Sequence, residues 1–156
     1  MFILVGQDVS GNSFIQQSGV AIDPGLPISL AFGLVSQAKG WKVGSRRWRK
    51  AWKTCMSLEY DRLIGSRGSS LETWQELCAK VGITKVLPSI TKCKKALVKV
   101  HVNIVDLLDH WDTPIIPKRF KNRFELAEYA KETHKFFSRD IAKQDKVLKV
   151  LLRKLV

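Results

Sequence analysis

Apolar residues recur at helical spacing along most of this chain, and the clearest case lies in residues 40–63, GWKVGSRRWRKAWKTCMSLEYDRL. There Trp48, Trp52, Cys55, Met56 and Leu63 fall on one side of a helix, while Arg46, Arg49, Lys50 and Lys53 repeat at i, i+3, i+4 and i+7 on another. One face suits a core and the other must stay in water. Ser45 is placed to cap this helix, and Gly65-Ser66-Arg67-Gly68-Ser69 ends it. Upstream, Asp23-Pro24 predicts a helix start, followed by Ile28, Phe32 and Val35 at helical spacing and closed by Lys39-Gly40. Downstream, Ser70 opens a helix with Leu71, Trp74, Leu77 and Cys78 on one face and Gly82 beyond its end. Pro88-Ser89 opens another, with Ile90, Cys93 and Leu97 opposite Lys92, Lys95 and Lys99.

Residues 98–111 carry two patterns. Val100, Val102 and Ile104 alternate with Lys99, His101 and Asn103 as in a half-buried strand, whereas Val105, Leu108 and Trp111 beside Asp106 and Asp109 read as helix. No second strand-like run of similar quality offers a partner, so helix is the expectation. Asp112-Thr113-Pro114 and Pro117 mark a loop. Asn122 with Glu125 predicts a capped helix holding Phe124, Leu126, Tyr129 and Ala130. Phe136-Phe137 reads as a staple or core plug before Ser138, which would cap a last helix with Ile141, Leu148, Leu151, Leu152 and Leu155 opposite Lys146, Lys149 and Arg153. Residues 1–22, rich in Gly, Ser, Gln and Asn, are expected as a short extended segment or a loose tail of uncertain order. The chain contains neither an internal repeat nor a low-complexity tract. The expected fold is all-α, one compact bundle of five to six helices over residues 23–156, with Trp48, Trp52, Trp74, Leu77, Leu97, Leu108, Leu148 and Leu152 in its core.

The length of 156 residues fits one ordinary domain. Hydrophobic content of 45% and charged content of 26% are those of a globular protein, but the sign balance is not: Lys and Arg number 27 against 14 Asp and Glu, a formal net charge of +13. Such an excess points to phosphate, an anionic membrane surface or an acidic partner. Cys55, Cys78 and Cys93 have no CxxC spacing and sit among apolar residues, as small core residues do in a reducing compartment. The start of the chain has an apolar run of only Phe2 to Val5 and no basic segment before it, unlike a signal peptide or a membrane span. An intracellular location, nuclear or cytoplasmic, is expected.

The series GVAIDPGLPISLAFGLVSQAKGW, SLETWQELCAKVGI, SITKCKKALVKVHVNIVDLLD and FELAEYAKETHKFFSRDIAKQDKVLKVLLRKL resembles, in order and spacing, a family of short uncharacterised proteins abundant in filamentous fungi. The most specific pieces are the LETWQELC and VHVNIVDLLD segments, and the resemblance covers roughly residues 20–155. Similar sequences often carry an aromatic and an acidic residue ahead of the Asp-Pro pair, where this chain has Val20-Ala21-Ile22; residues 1–19 lie outside the resemblance. It implies an intracellular, mainly helical single domain and brings no catalytic residue, cofactor or partner with it.

Catalysis finds little support in the sequence. His110 follows Asp106 by four residues, a spacing at which a carboxylate can orient an imidazole, but the plainer reading is a helix-terminal histidine with a solvated neighbour. No GxSxG, HExxH, P-loop or GxGxxG motif occurs, no Cys and His stand at metal-ligand spacing, and no cofactor is expected. Nucleic-acid binding without catalysis is the leading expectation. Lys39, Lys42, Arg46, Arg47, Arg49, Lys50 and Lys53 come with no acid between Asp23 and Glu59. Lys80, Lys85, Lys92, Lys94, Lys95 and Lys99 come with none between Glu76 and Asp106, and Arg119, Lys121 and Arg123 form a third cluster. Such runs suit phosphate contacts, and Arg46, Arg49, Lys50, Lys53, Lys92, Lys95 and Lys99 are the candidates, DNA or RNA being left open. Trp48 and Trp52 would stack on bases only if exposed, and their spacing with Cys55 and Met56 favours the core; Trp41, just past a glycine, is expected to be more exposed than they are. The alternative is a protein–protein interaction module recognising an acidic or apolar partner surface. Membrane-surface binding through the C-terminal helix comes third.

Overall fold

The computed structural model describes residues 8–138, and they form seven α-helices and a two-stranded sheet. The helices are α1 (Ser13–Gln17), α2 (Ile28–Ala38), α3 (Arg46–Leu63), α4 (Leu71–Lys80), α5 (Ile90–Leu97), α6 (Ile104–Asp109) and α7 (Arg123–Thr133). All but one of the starts follow from a local cap. Ser45, Ser70, Ser89, Asn103 and Asn122 each accept from a backbone N–H three residues on, satisfying a donor that the first turn cannot pair internally. Two of the ends are glycine-dependent. Gly40 (φ 72°) and Gly82 (φ 91°) lie in left-handed backbone, which lets the Trp41 N–H reach the Ser36 carbonyl at 3.0 Å and the Ile83 N–H reach that of Cys78 at 2.9 Å. Both positions agree with the helix ends read from the sequence.

The core lies around α3, against which α1, α2 and α6 pack, and it continues into the α4–α5 pair. Trp48, Trp52, Trp74, Leu77, Leu97 and Leu108 are all buried, as their spacing predicts. Leu148, Leu152 and the helix expected after Ser138 lie outside the described residues.

Several expectations need correction. In place of a helix through residues 98–111, His101–Val102 (β1) pairs antiparallel with Arg119–Phe120 (β2), and α6 begins only after Asn103. The alternation of Val100 and Val102 was a true strand signal, since both are buried; its partner is too short to register as a pattern. The fold is therefore mainly helical with a small sheet; the described part of the expected domain, residues 23–138, holds six helices, and α1 is an additional one in the segment expected to be a tail. Asp23-Pro24 forms a turn, with the Gly25 N–H donating to Asp23 Oδ1 at 2.9 Å, and α2 starts four residues later at Ile28. Residues 8–22, expected as extended or loose, hold a short 3-10 turn at Val9–Gly11 and then α1, and bury Val9 and Ile15. The reason is Asn12. Its Oδ1 caps α1, while its Nδ2 donates to the Cys55 carbonyl at 3.2 Å and to Glu59 Oε1 at 3.1 Å, tying the segment to α3.

One helix start has no local cap. Pro27 occupies the N-cap of α2 and offers no side-chain acceptor, so Asp109 of α6 supplies it, accepting from Ser29 N at 2.9 Å and Ser29 Oγ at 2.6 Å. Replacing Asp109 with Ala removes this cap and leaves the half-buried Ser29 donors unpaired. We expect Asp109→Ala to lower the unfolding free energy by about 1–3 kcal/mol in chemical denaturation, with unchanged helical circular dichroism in the absence of denaturant.

Candidate nucleic-acid interface

The geometry of α3 follows from its tryptophans. Trp48 and Trp52, one turn apart, stack with ring centroids 5.1 Å apart and an interplanar angle of 9°, and the Phe32 ring meets both edge-on. The indole N–H of Trp52 donates to the Phe136 carbonyl at 2.7 Å, which fixes the ring in place. With Trp48, Trp52, Cys55 and Met56 turned inward, Arg46, Arg49, Lys50 and Lys53 are exposed on the other side, spanning about 10 Å along the axis. Arg47 is exposed beside them. The first acid of α3 does not reach this surface: Glu59 is fully buried, accepting from Asn12 and from Arg62, whose Nη2 lies 2.9 Å from Glu59 Oε2.

Lys92 and Lys95 are exposed on α5, and Lys99 is exposed in the turn that follows it, because Cys93 and Leu97 take the buried face. Since α5 packs on α4, these lysines stand on a different helix pair from the α3 row. Lys94, between them, is drawn inward, its ammonium 5.2 Å from the centre of the Trp74 ring. The structure thus joins Arg46, Arg49, Lys50 and Lys53 into one row and gives Lys92, Lys95 and Lys99 their own. Trp41 is the least buried of the five tryptophans, as expected, but only half-exposed, packed against Phe14 and Phe32.

A polar cluster that the sequence did not single out lies where α2, α6 and the end of α7 meet. The Lys135 ammonium is 2.7 Å from Asp106 Oδ1 and 3.8 Å from Asp109 Oδ2, and 3.4 Å from the Tyr129 hydroxyl. Asn103 Nδ2 donates to the Lys135 carbonyl at 2.9 Å, which fixes the backbone there. Asp106 therefore serves Lys135 and not His110, which ends α6 as its C-cap. Burial pushes the Asp109 carboxyl above its usual range, although Ser29 and Lys135 oppose this. For Lys135, burial alone would lower the pKa, but the hydrogen bond and charge of Asp106, together with Asp109 and Tyr129, hold it above the ordinary lysine value. Only the three-residue spacing of Asp106 and Asp109 hinted at this cluster.

The three cysteines are buried free thiols, Cys55 raised in pKa by burial and Cys78 pushed by burial up to about 12, so neither is an activated nucleophile. Among the described residues no group of three His, Cys, Asp or Glu side chains is arranged to hold a metal ion, and no helix is long and apolar enough to cross a membrane. Neither a protein-family model, a curated protein nor a solved structure matches this chain.

Because the folded state holds the Lys135 proton more tightly than the unfolded chain does, the stability this group contributes is complete below the unfolded lysine pKa and is lost as pH rises through the folded one. Denaturation midpoints should accordingly fall above about pH 10, and Lys135→Met should flatten that alkaline decline. Midpoints measured across this range for both proteins check it.

Proposed function

We propose that this protein binds nucleic acid without catalysing a reaction, through phosphate contacts made by its basic helix faces. One observation carries the reading: α3 locks its tryptophans into the core and turns its first acid inward, so that Arg46, Arg49, Lys50 and Lys53 form an exposed cationic row with Arg47 beside it. Among the described residues, Arg46, Arg49 and Lys50 have no carboxylate within ion-pair distance, which leaves these charges available to phosphate oxygens. Lys92, Lys95 and Lys99 supply a second exposed set. Contacts of this kind give affinity without reading sequence. The reading places the protein with nucleic acid, in the nucleus or cytoplasm.

A second reading has its own observation. Leu30, Phe32, Trp41, Val43, Trp48 and Lys135 line a groove of about 480 Å³, and Leu30, Leu34 and Val43 are exposed at 57%, 45% and 57%. An apolar groove near a cationic helix suits an interaction module for an acidic or apolar protein surface.

Fluorescence anisotropy of labelled duplex DNA, single-stranded DNA and RNA across about 50 to 200 mM salt separates the two readings. Steep log-log salt dependence is the expected result. Replacing Arg46, Arg49, Lys50 and Lys53 together by Gln should weaken binding about 10-fold or more at the low-salt end and reduce the slope by up to about 3.6, at ~0.9 for each phosphate no longer neutralised. Helicity should be unchanged, and unaltered affinity would remove α3 from the interface. No binding of any polymer at low salt would leave the protein-partner reading.

A further inference from the structure

The start of α7 displays an aromatic ring where the helix has no need to expose one. Leu126 and Ala130 turn into the protein, yet Phe124 is 70% exposed. A lone exposed apolar side chain is ordinary on a protein surface, and only its surroundings give it meaning. Here the surroundings are cationic. The segment KRFKNRF, residues 118–124, carries Lys118, Arg119, Lys121 and Arg123 with no acid among them, and all four are exposed. Among the described residues none of the four side chains is ion-paired. The Arg123 guanidinium lies 5.1 Å from the centre of the Phe124 ring, close enough to hold the ring against a cation while leaving most of it open to solvent.

The segment is held firmly enough to act as a surface. Arg119 and Phe120 form β2 against β1, Asn122 Oδ1 accepts from Glu125 N at 2.9 Å, and Glu125 Oε2 accepts from Lys121 N at 3.2 Å. The helix's acids stay clear of the ring: Glu125, Glu128 and Glu132 line, with Lys118, Arg119, Phe120 and Tyr129, a cavity of about 410 Å³ that Phe124 does not border.

A flat ring beside several unpaired cations is the pairing of features that single-stranded polymers require, stacking for a base and charge for the backbone. A base inside a duplex cannot offer its face. On α3 the opposite holds, since Trp48 and Trp52 are buried and that row has charge alone. We propose that residues 118–124 form a platform for an unpaired nucleobase, with Phe124 as the stacking surface and Lys118, Arg119, Lys121 and Arg123 as phosphate contacts, so that the polymer this protein takes is single-stranded nucleic acid. The assignment rests on the nucleic-acid reading above and names the polymer.

The test uses the full chain and a single-stranded DNA oligonucleotide carrying 2-aminopurine, whose fluorescence falls on stacking, beside a labelled duplex of equal length. The wild-type protein should prefer the single strand and quench the probe. Phe124→Ala should weaken single-strand binding about 5- to 150-fold, abolish the quench and leave duplex affinity unchanged, while Phe124→Trp restores both. Circular dichroism of each variant verifies that the exposed site is not needed for folding. Equal single-strand affinity and equal quench in Phe124→Ala would overturn the platform while leaving salt-dependent binding intact. An equal loss for duplex and single strand would overturn the assignment of polymer. If the wild-type protein binds neither polymer at low salt, the nucleic-acid reading fails and the platform with it.

Discussion

The stacked pair of Trp48 and Trp52 is where separate parts of the chain meet. Phe32 of α2 sets its ring edge-on against both indoles, Phe14 of α1 stacks on Phe32, and the Phe136 carbonyl holds the Trp52 N–H. His134, which ends α7 in left-handed backbone at φ 59°, presents its ring edge to Trp48 at 5.9 Å. Aromatic rings of this size bury more surface than any other side chain, so the rotation of α3 about its own axis is set by where they must go. The cationic row has its orientation as a consequence. Were the helix turned by a third of a revolution, charge would enter the core and the tryptophans would be wet.

Three acidic residues are buried in the described fold, whereas none of the described lysines and arginines is. Glu59, Asp106 and Asp109 are all buried, each hydrogen-bonded: Glu59 to Asn12 and Arg62, Asp106 to Lys135, and Asp109 to Ser29. Burying a carboxylate is tolerable only with such partners, and each of these satisfies a backbone or side-chain donor that would otherwise be stranded. The effect on the exterior is that a chain with a formal charge of +13 keeps several of its acids away from solvent. Its outer faces are then more uniformly cationic than composition alone conveys. Binding chemistry and folding chemistry are linked here, since the buried acids that hold α1, α2 and α7 in place are absent from the surface.

Much of the helical layout was legible because its causes are local. A serine or asparagine cap, an apolar period of 3.6 and a glycine at the left-handed position past a helix end each act within a few residues, so α3, α4, α5 and α7 and the burial of Trp48, Trp52, Trp74 and Leu97 follow from the sequence by itself. So does the cationic row of α3, because the tryptophans fix which side remains outside. Tertiary structure alone decided whatever depends on a distant partner. Asn12 joins the N-terminal segment to Glu59 across 47 residues, Asp109 caps α2 across 80, and the Phe136 carbonyl anchors Trp52 across 84. Val100 and Val102 showed the alternation of a strand, but the partner that made it one is a two-residue strand in a cationic loop. Phe124 shared a helix with inward-facing Leu126 and Ala130, and only the packing of α7 left its ring outside. Periodicity reports which residues share a side of an element; which side meets the core is settled by neighbours that sequence spacing does not contain.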